Sequence, residues 1–288
     1  MRILVTGAEG MLGAAAVRRL AADHAVTGVD LGDGDLTDPA VAAGLVAAAD
    51  PEWIVHCAAW TDVDGAETAR DQALAANADA TAHLARLGTD RGAGLTYIST
   101  DYVFDGSADR GGWDEDDPRA PLNHYGLTKA RGEEIVEQLP GPWQIVRTSW
   151  LFGDGRVNFV KTIGRLLAER ETLQVVDDQT GCPTYAEDLA AVLAFLVSSR
   201  RRGIFHGTNA GSCTWHGFAR EIARRCGHDP ARIVPCTSAA FPRPARRPAC
   251  SVLRSRRLEA AGCPPRPPWQ DAVGRYLELL ASGRARHP

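Results

Sequence analysis

The sequence MRILVTGAEGMLG (residues 1–13) leads from a short apolar strand through a glycine-rich loop into the start of a helix. Asp30 follows the next predicted strand, residues 25–29. Glycines at these spacings permit a tight turn and a close approach of the backbone to a pyrophosphate, which the helix N-terminus can bind. This order of elements predicts a dinucleotide-binding fold, with the loop glycines at Gly7, Gly10 and Gly13.

Predicted strands and helices alternate over the first half of the chain. Further strands, apolar on both faces, are predicted over residues 53–57, 95–99 and 144–147. This pattern is typical of an α/β fold with a doubly wound parallel sheet of the Rossmann type. Helices are predicted over residues 11–22, 41–49, 66–88, 125–138, 158–170, 187–198, 218–226 and 269–280.

The composition of the sequence changes after about Trp150, where prolines and irregular segments become more frequent. We therefore predict a dinucleotide-binding domain over residues 1–150, to which the chain returns near residues 185–200. Residues 151–288 are predicted to form mainly a smaller, interleaved C-terminal α/β lobe that binds the substrate.

Composition and charge narrow the class of protein. The chain has 288 residues and a net charge of -4, which argues against a nucleic-acid-binding surface. No apolar run approaches the ~20 residues of a membrane span, and the first residues do not resemble a signal peptide. The seven cysteines are scattered without a CxxC pair, so neither a disulfide framework nor a metal site is predicted. We expect a cytoplasmic protein with neither membrane nor nucleic-acid partner.

A candidate catalytic site lies in the middle of the chain. Tyr125 and Lys129 are four residues apart and share one face of a predicted helix. A lysine ammonium favours the phenolate and is expected to lower the tyrosine pKa, while Thr100 is placed to hold a substrate oxygen. These groups together predict a reductase in which Tyr125 protonates a carbonyl oxygen as a hydride arrives. Ser99 ends the predicted strand 95–99, directly before Thr100.

The cofactor predicted from these motifs is a reduced nicotinamide dinucleotide. Asp30 suits the ribose hydroxyls of NADH and would repel a 2′-phosphate, which favours NADH over NADPH. Asp35 is expected either at the adenine edge or as a turn or helix-capping residue. The predicted cofactor-binding residues are Gly7, Gly10, Met11, Leu12, Gly13, Asp30, Asp35, Leu36, Ala58, Ala59, Thr61, Ser99, Tyr125 and Lys129.

Longer motifs give a more specific indication than the glycine loop. The chain resembles, over nearly its full length, the dTDP-4-dehydrorhamnose reductase family of extended short-chain dehydrogenases/reductases. The motifs that carry this resemblance are TDVDGAE (61–67), STDYVFDG (99–106), PLNHYGLTK (121–129), RTSWLFG (147–153), DDQTGCPT (177–184), TWH (214–216) and RP (247–248).

The resemblance implies reduction of the 4-keto group of a dTDP-4-keto-6-deoxyhexose, foremost dTDP-4-dehydro-L-rhamnose to dTDP-L-rhamnose. It implies that Thr100, Tyr125 and Lys129 are catalytic. The residues implied to line the deoxysugar are Thr61, Val63, Thr100, Asp101, Tyr102 and Trp150. Asn158 and Arg247 are implied to reach the nucleotide or diphosphate, and a guanidinium suits phosphate oxygens. Asn158 is equally expected as a helix N-cap, and packing between the lobes is the alternative for Trp150.

The sequence also departs from the family pattern. Some family members dimerise around magnesium, but one of the acidic positions is Ala15 here, although Glu187 keeps another. Magnesium is therefore not expected, and a homodimer is left open. His56 and Cys57 replace the usual Asn-Ala of the third strand, and we expect no catalytic effect from this change.

Three other functions share parts of this pattern. A sugar-nucleotide 4,6-dehydratase usually has a glutamate where this chain has Tyr102. A non-catalytic regulatory subunit can keep the Tyr-Lys pair. A sister reductase in an antibiotic deoxysugar or streptose-type pathway would have nearly the same active site. The sequence alone therefore does not distinguish it from an enzyme that reduces dTDP-4-dehydro-L-rhamnose.

Overall fold

The structure, a computed structural model, describes residues 1–107, 111–155 and 157–283. The strands are β1 (Arg2–Thr6), β2 (Ala25–Val29), β3 (Trp53–His56), β4 (Gly94–Thr100), β5 (Trp143–Thr148), β6 (Leu151–Phe152), β7 (Leu173–Val176), β8 (Thr180–Gly181), β9 (Thr184–Tyr185), β10 (Gly203–His206), β11 (Cys213–Thr214) and β12 (Ile233–Cys236). The α-helices are α1 (Met11–Leu20), α2 (Pro39–Ala49), α3 (Arg70–Leu74), α4 (Ala80–Thr89), α5 (His124–Glu137), α6 (Phe159–Glu169), α7 (Ala186–Ser199), α8 (Trp215–Arg225), α9 (Arg256–Ala260) and α10 (Trp269–Ala281).

Within the described residues, six parallel strands form a central sheet in the order β2-β1-β3-β4-β5-β10. From β1 the chain moves to β2 on one side, and from β3 it moves stepwise to β10 on the other. The strand order therefore reverses between β1 and β3, where open α/β sheets bind ligands beyond the carboxyl ends of their strands. This arrangement confirms the predicted doubly wound α/β fold.

The sheet is buried on both faces because successive strand residues point to opposite sides. Ile3 and Val5 pack with α1 and α7, whereas Leu4 packs with α2 and α4 on the other face. All three side chains are almost fully buried. The apolar strands that suggested a parallel sheet are thus covered by helices on each side.

Two elements differ from the sequence-based expectation. The helix expected over residues 66–88 is interrupted by a π-helical turn, Ala75–Asp79, between α3 and α4. The sixth strand, β10, is not among the predicted strands, and it pairs with β5. The chain therefore returns to the sheet through both α7 and β10, and the division at residue 150 stays a prediction.

The second half of the chain contributes a smaller lobe. Short strand pairs, β7 with β12 and β8 with β11, lie beside α6, α8 and α10. Phe152, Phe218 and Tyr276 are buried together in its core. None of the helices in the described ranges is long and apolar enough to cross a membrane.

Candidate active site

The glycine loop is as tightly built as its spacing predicts. Gly7 has a φ of +68°, and a Cβ there would lie 2.6 Å from the backbone nitrogen of Ala58. A Cβ on Gly13 would lie 1.9 Å from the carbonyl oxygen of Gly7. Side chains at either position would push apart the loop, the helix and the segment after β3. This backbone cradle fits a dinucleotide pyrophosphate.

The N-terminus of α1 lies at the same glycine loop. Its N-cap is Gly10, which has no side chain to accept from the first backbone N–H groups. Its first turn, which begins at Met11 and Leu12, contains no acidic residue. Unpaired N–H groups and the positive end of the helix dipole favour an anion at this point. This geometry suits an anion, and the phosphate-binding role of the loop stays a prediction.

Asp30 lies directly after β2 and beside the glycine loop. Its carboxylate accepts hydrogen bonds from the backbone nitrogens of Glu9 and Leu31, each at 2.8 Å. These bonds hold a negative charge at the position expected for the cofactor ribose. The contact with Glu9 also ties the end of β2 to the phosphate cradle.

Asp35 and Leu36 lie further along this edge. Asp35 accepts from the backbone and the hydroxyl of Thr37, so it acts as a turn residue. The backbone carbonyl oxygen of Leu36 accepts a hydrogen bond from His83 Nδ1 at 3.1 Å, and the Leu36 side chain packs against the core. Their contact with an adenine ring stays a prediction. Ala58 and Ala59, both partly buried, lie on the neighbouring loop that follows β3.

The three predicted catalytic residues come from two adjacent elements. Thr100 ends β4, while Tyr125 and Lys129 lie in the first turns of α5. Asn123 caps this helix, because its Oδ1 accepts from Gly126 N at 2.8 Å. The structure thereby brings Thr100, Tyr125 and Lys129 together beyond the carboxyl ends of the strands.

The electrostatics of this group differ from the expectation for the tyrosine. Burial raises the pKa of Tyr125 to about 12, and the hydroxyl of Thr100 only partly offsets the rise. Burial also lowers the pKa of Lys129 to about 7, although Glu133 one turn away limits the fall. The predicted lowering of the tyrosine pKa is therefore wrong for this structure, because desolvation dominates and the charge of Asp101 adds to the rise.

Lys129 is held beside the sheet by aromatic and polar neighbours. Its Nζ lies 4.1 Å from the ring centroid of Tyr97, a cation–π contact. Tyr97 donates from its hydroxyl to the carbonyl oxygen of Asn77 at 3.2 Å. The carbonyl oxygen of Lys129 also lies 3.4 Å from that hydroxyl. These contacts orient the lysine stem before any ligand binds.

A buried ion pair that the motifs did not predict stabilises α5. Arg147 donates from Nε and Nη2 to the two carboxylate oxygens of Glu133, at 2.9 and 2.7 Å. Their side chains are 1% and 0% exposed. Arg119 adds a second contact to Glu133 at 3.1 Å. The pair joins α5 to β5, and Ser99 is buried at the end of the neighbouring strand.

Asn77 is a second residue that the motifs missed. Its side chain bonds both the N–H and the carbonyl oxygen of Trp60, at 2.8 and 3.2 Å. Its Nδ2 also donates to Thr128 Oγ1 at 2.9 Å, and Thr128 lies between Tyr125 and Lys129 in the sequence of α5. The π-helical turn that carries Asn77 thus joins the loop after β3 to α5, and such turns are frequent at functional sites.

His56 continues this network towards the glycine loop. Its Nδ1 lies 2.7 Å from Thr6 Oγ1 and its Nε2 lies 3.2 Å from Thr81 Oγ1. Burial lowers the pKa of His56 to about 3, with a smaller contribution from the charge of Lys129. The ring is therefore neutral at pH 7. The residue that departs from the family pattern is a structural link beneath the site.

Four of the six residues that the resemblance assigns to the deoxysugar follow two strands, β3 and β4. Thr61 is exposed and Val63 is half-buried on the loop after β3. Asp101 and Tyr102 lie in a 3-10 turn directly after Thr100. Asp101 is 3% exposed, and its burial raises its pKa to about 7. The Tyr102 ring meets the Tyr125 ring edge-on, with centroids 6.0 Å apart.

Trp150 lies between the sheet and the second lobe. Its φ of +46° is strained for a residue with a side chain. Its indole stacks on Trp215, with ring centroids 3.6 Å apart and planes 9° apart. Strain of this kind is common at binding sites, so the geometry agrees with a substrate-facing role as well as with packing between lobes.

The two residues implied to reach the nucleotide have different surroundings. Asn158 caps α6 and is buried, and its Nδ2 donates to Gly153 O and to Tyr276 OH. Contact of Asn158 with a nucleotide stays a prediction. Arg247 forms an ion pair with Asp64 at 3.0 Å, and its guanidinium lies 5.8 Å from the Tyr102 ring centroid.

The two positions that the resemblance relates to magnesium, Ala15 and Glu187, do not fit a metal here. Ala15 is fully buried against Ala186 and Ala190, where α1 and α7 pack together. The neighbouring Glu187 carboxylate forms an ion pair with Arg18. These positions offer a single, already paired carboxylate, which is a poor ligand set for a hard cation.

A glycine loop at the switch point of a parallel sheet, facing a Thr-Tyr-Lys group on the next elements, defines an extended short-chain dehydrogenase/reductase. The family model described as the RmlD substrate binding domain matches residues 1–282. The chain belongs to the dTDP-4-dehydrorhamnose reductase family.

Individual relatives resemble the chain over nearly its whole length. The dTDP-4-dehydrorhamnose reductase of Streptomyces griseus is 45% identical, over 100% of this chain and 96% of the relative. A probable dTDP-4,6-dihydroxy-2-methyloxan-3-one 4-ketoreductase of Streptomyces antibioticus is 42% identical, over 100% and 98%. The crystal structure of dTDP-4-dehydrorhamnose reductase from Bacillus anthracis, in complex with NADP, superposes with a TM-score of 0.92. It is 37% identical and covers 96% of this chain and 98% of its own.

Proposed function

We propose that the protein reduces the 4-keto group of a dTDP-4-keto-6-deoxyhexose with a nicotinamide cofactor, foremost dTDP-4-dehydro-L-rhamnose to dTDP-L-rhamnose. The observation that carries the proposal is the meeting of Thr100, Tyr125 and Lys129 at the sheet edge that also holds the glycine loop. This arrangement supports a proton donor beside the region where the cofactor is expected.

The protein's part in the reaction is to place and supply a proton. A bound reduced nicotinamide supplies the hydride to the sugar C4. Tyr125 donates its phenolic proton to O4, and its raised pKa keeps that proton in place at neutral pH. Lys129, which lies one turn away, stabilises the phenolate that remains. Thr100 donates a hydrogen bond to the same oxygen.

Asp101 controls the proton of Thr100 in this proposal. Thr100 Oγ1 donates to Asp101 Oδ1 at 3.0 Å when the carboxylate is ionised. A pKa of about 7 keeps much of Asp101 protonated near neutral pH. A protonated Asp101 donates to Thr100 instead, and the threonine hydroxyl then turns towards the substrate oxygen.

The second lobe and the loop after β3 supply the proposed substrate contacts. Trp150, which stacks on Trp215 and packs against Gly181, is the proposed contact of the deoxysugar from the second lobe. Tyr102 and Val63 lie on the opposite, cofactor-domain side. Arg247 is the proposed partner of the diphosphate, because a guanidinium donates to two phosphate oxygens at once.

We further propose that NADH is preferred over NADPH. The support is the carboxylate of Asp30, which is fixed by two backbone N–H groups beside the phosphate cradle. Asp30→Ala should raise kcat/KM for NADPH relative to NADH, because it removes the repulsion of a 2′-phosphate. Steady-state assays compare this ratio of kcat/KM values, NADPH to NADH, between the variant and the wild type. An unchanged ratio would mean that Asp30 does not face the ribose.

The test of the main proposal is oxidation of NADH and NADPH with dTDP-4-keto-6-deoxyglucose, with and without a 3,5-epimerase. We expect turnover only after epimerisation, with dTDP-L-rhamnose as product. Turnover on the unepimerised sugar would favour an antibiotic-sugar branch, which the 42% identical ketoreductase of Streptomyces antibioticus makes the second candidate. No turnover on either sugar would favour a regulatory subunit. The cytoplasmic location and the homodimer stay predictions.

A further inference from the structure

An arginine-bearing segment, residues 243–247, lies against the cofactor domain and is held by the Asp64 carboxylate. Asp64 Oδ2 lies 3.0 Å from Arg247 Nη2, and Asp64 Oδ1 accepts from the backbone N–H of Ala245 at 3.2 Å. Arg243 approaches the same carboxylate at 3.9 Å. One carboxylate therefore fixes both the backbone and an arginine side chain of the segment.

Asn123 makes a second contact with this segment. Its Nδ2 donates to the carbonyl oxygen of Arg246 at 2.9 Å. Its Oδ1 caps the catalytic helix through Gly126 N. The amide thus joins the arginine segment to the first turn of α5, two residues before Tyr125.

Arg247 retains hydrogen-bonding capacity after these contacts. Its Nη2 pairs with Asp64, but its Nη1 is buried and has no hydrogen-bond partner among the described residues. The side chain is 21% exposed, and the guanidinium lies next to Tyr102, whose ring contacts Tyr125. A buried N–H without an acceptor is costly, and a ligand oxygen would satisfy it.

We propose that Asp64 and Asn123 are positioning residues that clamp residues 243–247 across the mouth of the site, so that Arg247 Nη1 is held for a diphosphate oxygen of the substrate. This inference rests on the proposed function, since that function supplies the diphosphate. Asp64 fixes one nitrogen of the guanidinium and leaves the other for the ligand, which reduces the side-chain entropy lost on binding. Asn123 connects the diphosphate end of the substrate to the helix that carries the proton donor.

The direction in which Asp64→Asn changes the affinity for dTDP shows whether Asp64 positions Arg247 or competes with the diphosphate for it. Asp64→Asn keeps the shape and the acceptor for Ala245 N, but it removes the charge that orders Arg247. If Asp64 positions Arg247, dTDP binds more weakly. If Asp64 merely competes with the diphosphate for Arg247, removal of its charge makes dTDP bind more tightly.

Equilibrium binding of dTDP and of thymidine to the full chain tests the clamp. We expect Asp64→Asn to weaken dTDP binding about 10-fold and to leave thymidine and NADH binding within about twofold. The matched control is Asp62→Asn on the same loop, whose carboxylate instead accepts from Gly65 N. Unchanged or tighter dTDP binding by Asp64→Asn would overturn the proposal.

Asn123→Asp tests the second contact without loss of the helix cap. Aspartate caps helices as well as asparagine does, but it has no N–H group to donate to Arg246 O. We expect weaker dTDP binding, a raised KM for the ketosugar and little change in kcat, with the melting temperature preserved. A wild-type KM would contradict the role of Asn123.

Different experimental results would contradict the proposed clamp and the proposed function. If dTDP binding depends on Asp64 but no ketosugar is reduced, the diphosphate clamp holds and the reductase assignment fails. If the ketosugar is reduced normally and Asp64→Asn binds dTDP as the wild type does, only the clamp fails.

Discussion

Tyr125 is the proposed proton donor, and phenylalanine at this position removes only its hydroxyl. We expect Tyr125→Phe to lower kcat by roughly 100-fold or more, because protonation of the carbonyl oxygen then depends on water. NADH binding should be nearly unchanged, since the glycine loop and Asp30 are intact. Steady-state kinetics and NADH titration measure the two effects. Near-normal turnover would rule out Tyr125 as the donor.

The hydrogen bonds around His56 define its tautomer. Thr81 Oγ1 donates its single proton to Asn77 O at 2.8 Å, so it can only accept from His56 Nε2. A neutral ring with its proton on Nε2 must accept at Nδ1, and Thr6 Oγ1 donates there while it accepts from Ala58 N. A single directed chain therefore leads from the cofactor loops to the π-helical turn.

We expect 15N NMR to show His56 as the neutral Nε2–H tautomer at pH 7. The ring should not titrate until the pH approaches its pKa of about 3, because protonation would place a charge in a buried site near Lys129. His56→Asn assigns the signal by removing it. An Nδ1–H tautomer, or titration near the usual histidine value, would contradict the directed chain.

At the scale of elements, local chemistry was predictable and long-range pairing was not. The glycine loop and the Tyr125–Lys129 pair each lie within a short contiguous segment, so the sequence predicts them directly. Glu133 and Arg147 lie on different elements, and only the fold brings them together. The short strand β10 has no alternating pattern of its own and forms because β5 offers an edge. Burial likewise decided the tyrosine pKa, which the motif alone could not.

The Glu133–Arg147 pair gives a stability test of the catalytic helix. Glu133→Gln leaves the guanidinium of Arg147 buried without its counter-charge, so we expect a loss of about 3 kcal/mol in the free energy of unfolding. Glu134→Gln is the matched control on the same helix. Its exposed pair with Arg131 should contribute less than about 1 kcal/mol. Urea unfolding measures both, and equal losses would contradict the structural role of the buried pair.

At the scale of the whole molecule, the site is assembled from both halves of the chain. The glycine loop and the proposed proton donor belong to the sheet domain, whereas Trp150, Trp215 and the segment of Arg247 come from the second half of the chain. Contacts such as Asp64 with Arg247 therefore join residues that are distant in sequence. The stability of the fold and the geometry of the site depend on the same interface.

Asp101, buried at this interface, makes the stability of the molecule depend on pH. Its pKa is about 7 in the fold, against an ordinary value of 3.8. Between these values the native protein holds a proton that the unfolded chain has lost. The contribution of Asp101 to stability is therefore present at low pH and falls as the pH rises from about 4 to about 7.

Asp101→Asn should remove this loss, because the amide keeps an acceptor for Thr100 and does not ionise. His56 and His206, whose pKa values burial lowers to about 3, change the wild-type stability in the opposite direction over part of the same range. The informative quantity is thus the difference in unfolding free energy between variant and wild type. We expect that difference to shift in favour of the variant by up to ~1.4 kcal/mol per pH unit between about pH 4 and about pH 7. Urea unfolding across this range measures it, and a difference that stays constant with pH would show that Asp101 is ionised in the native protein throughout.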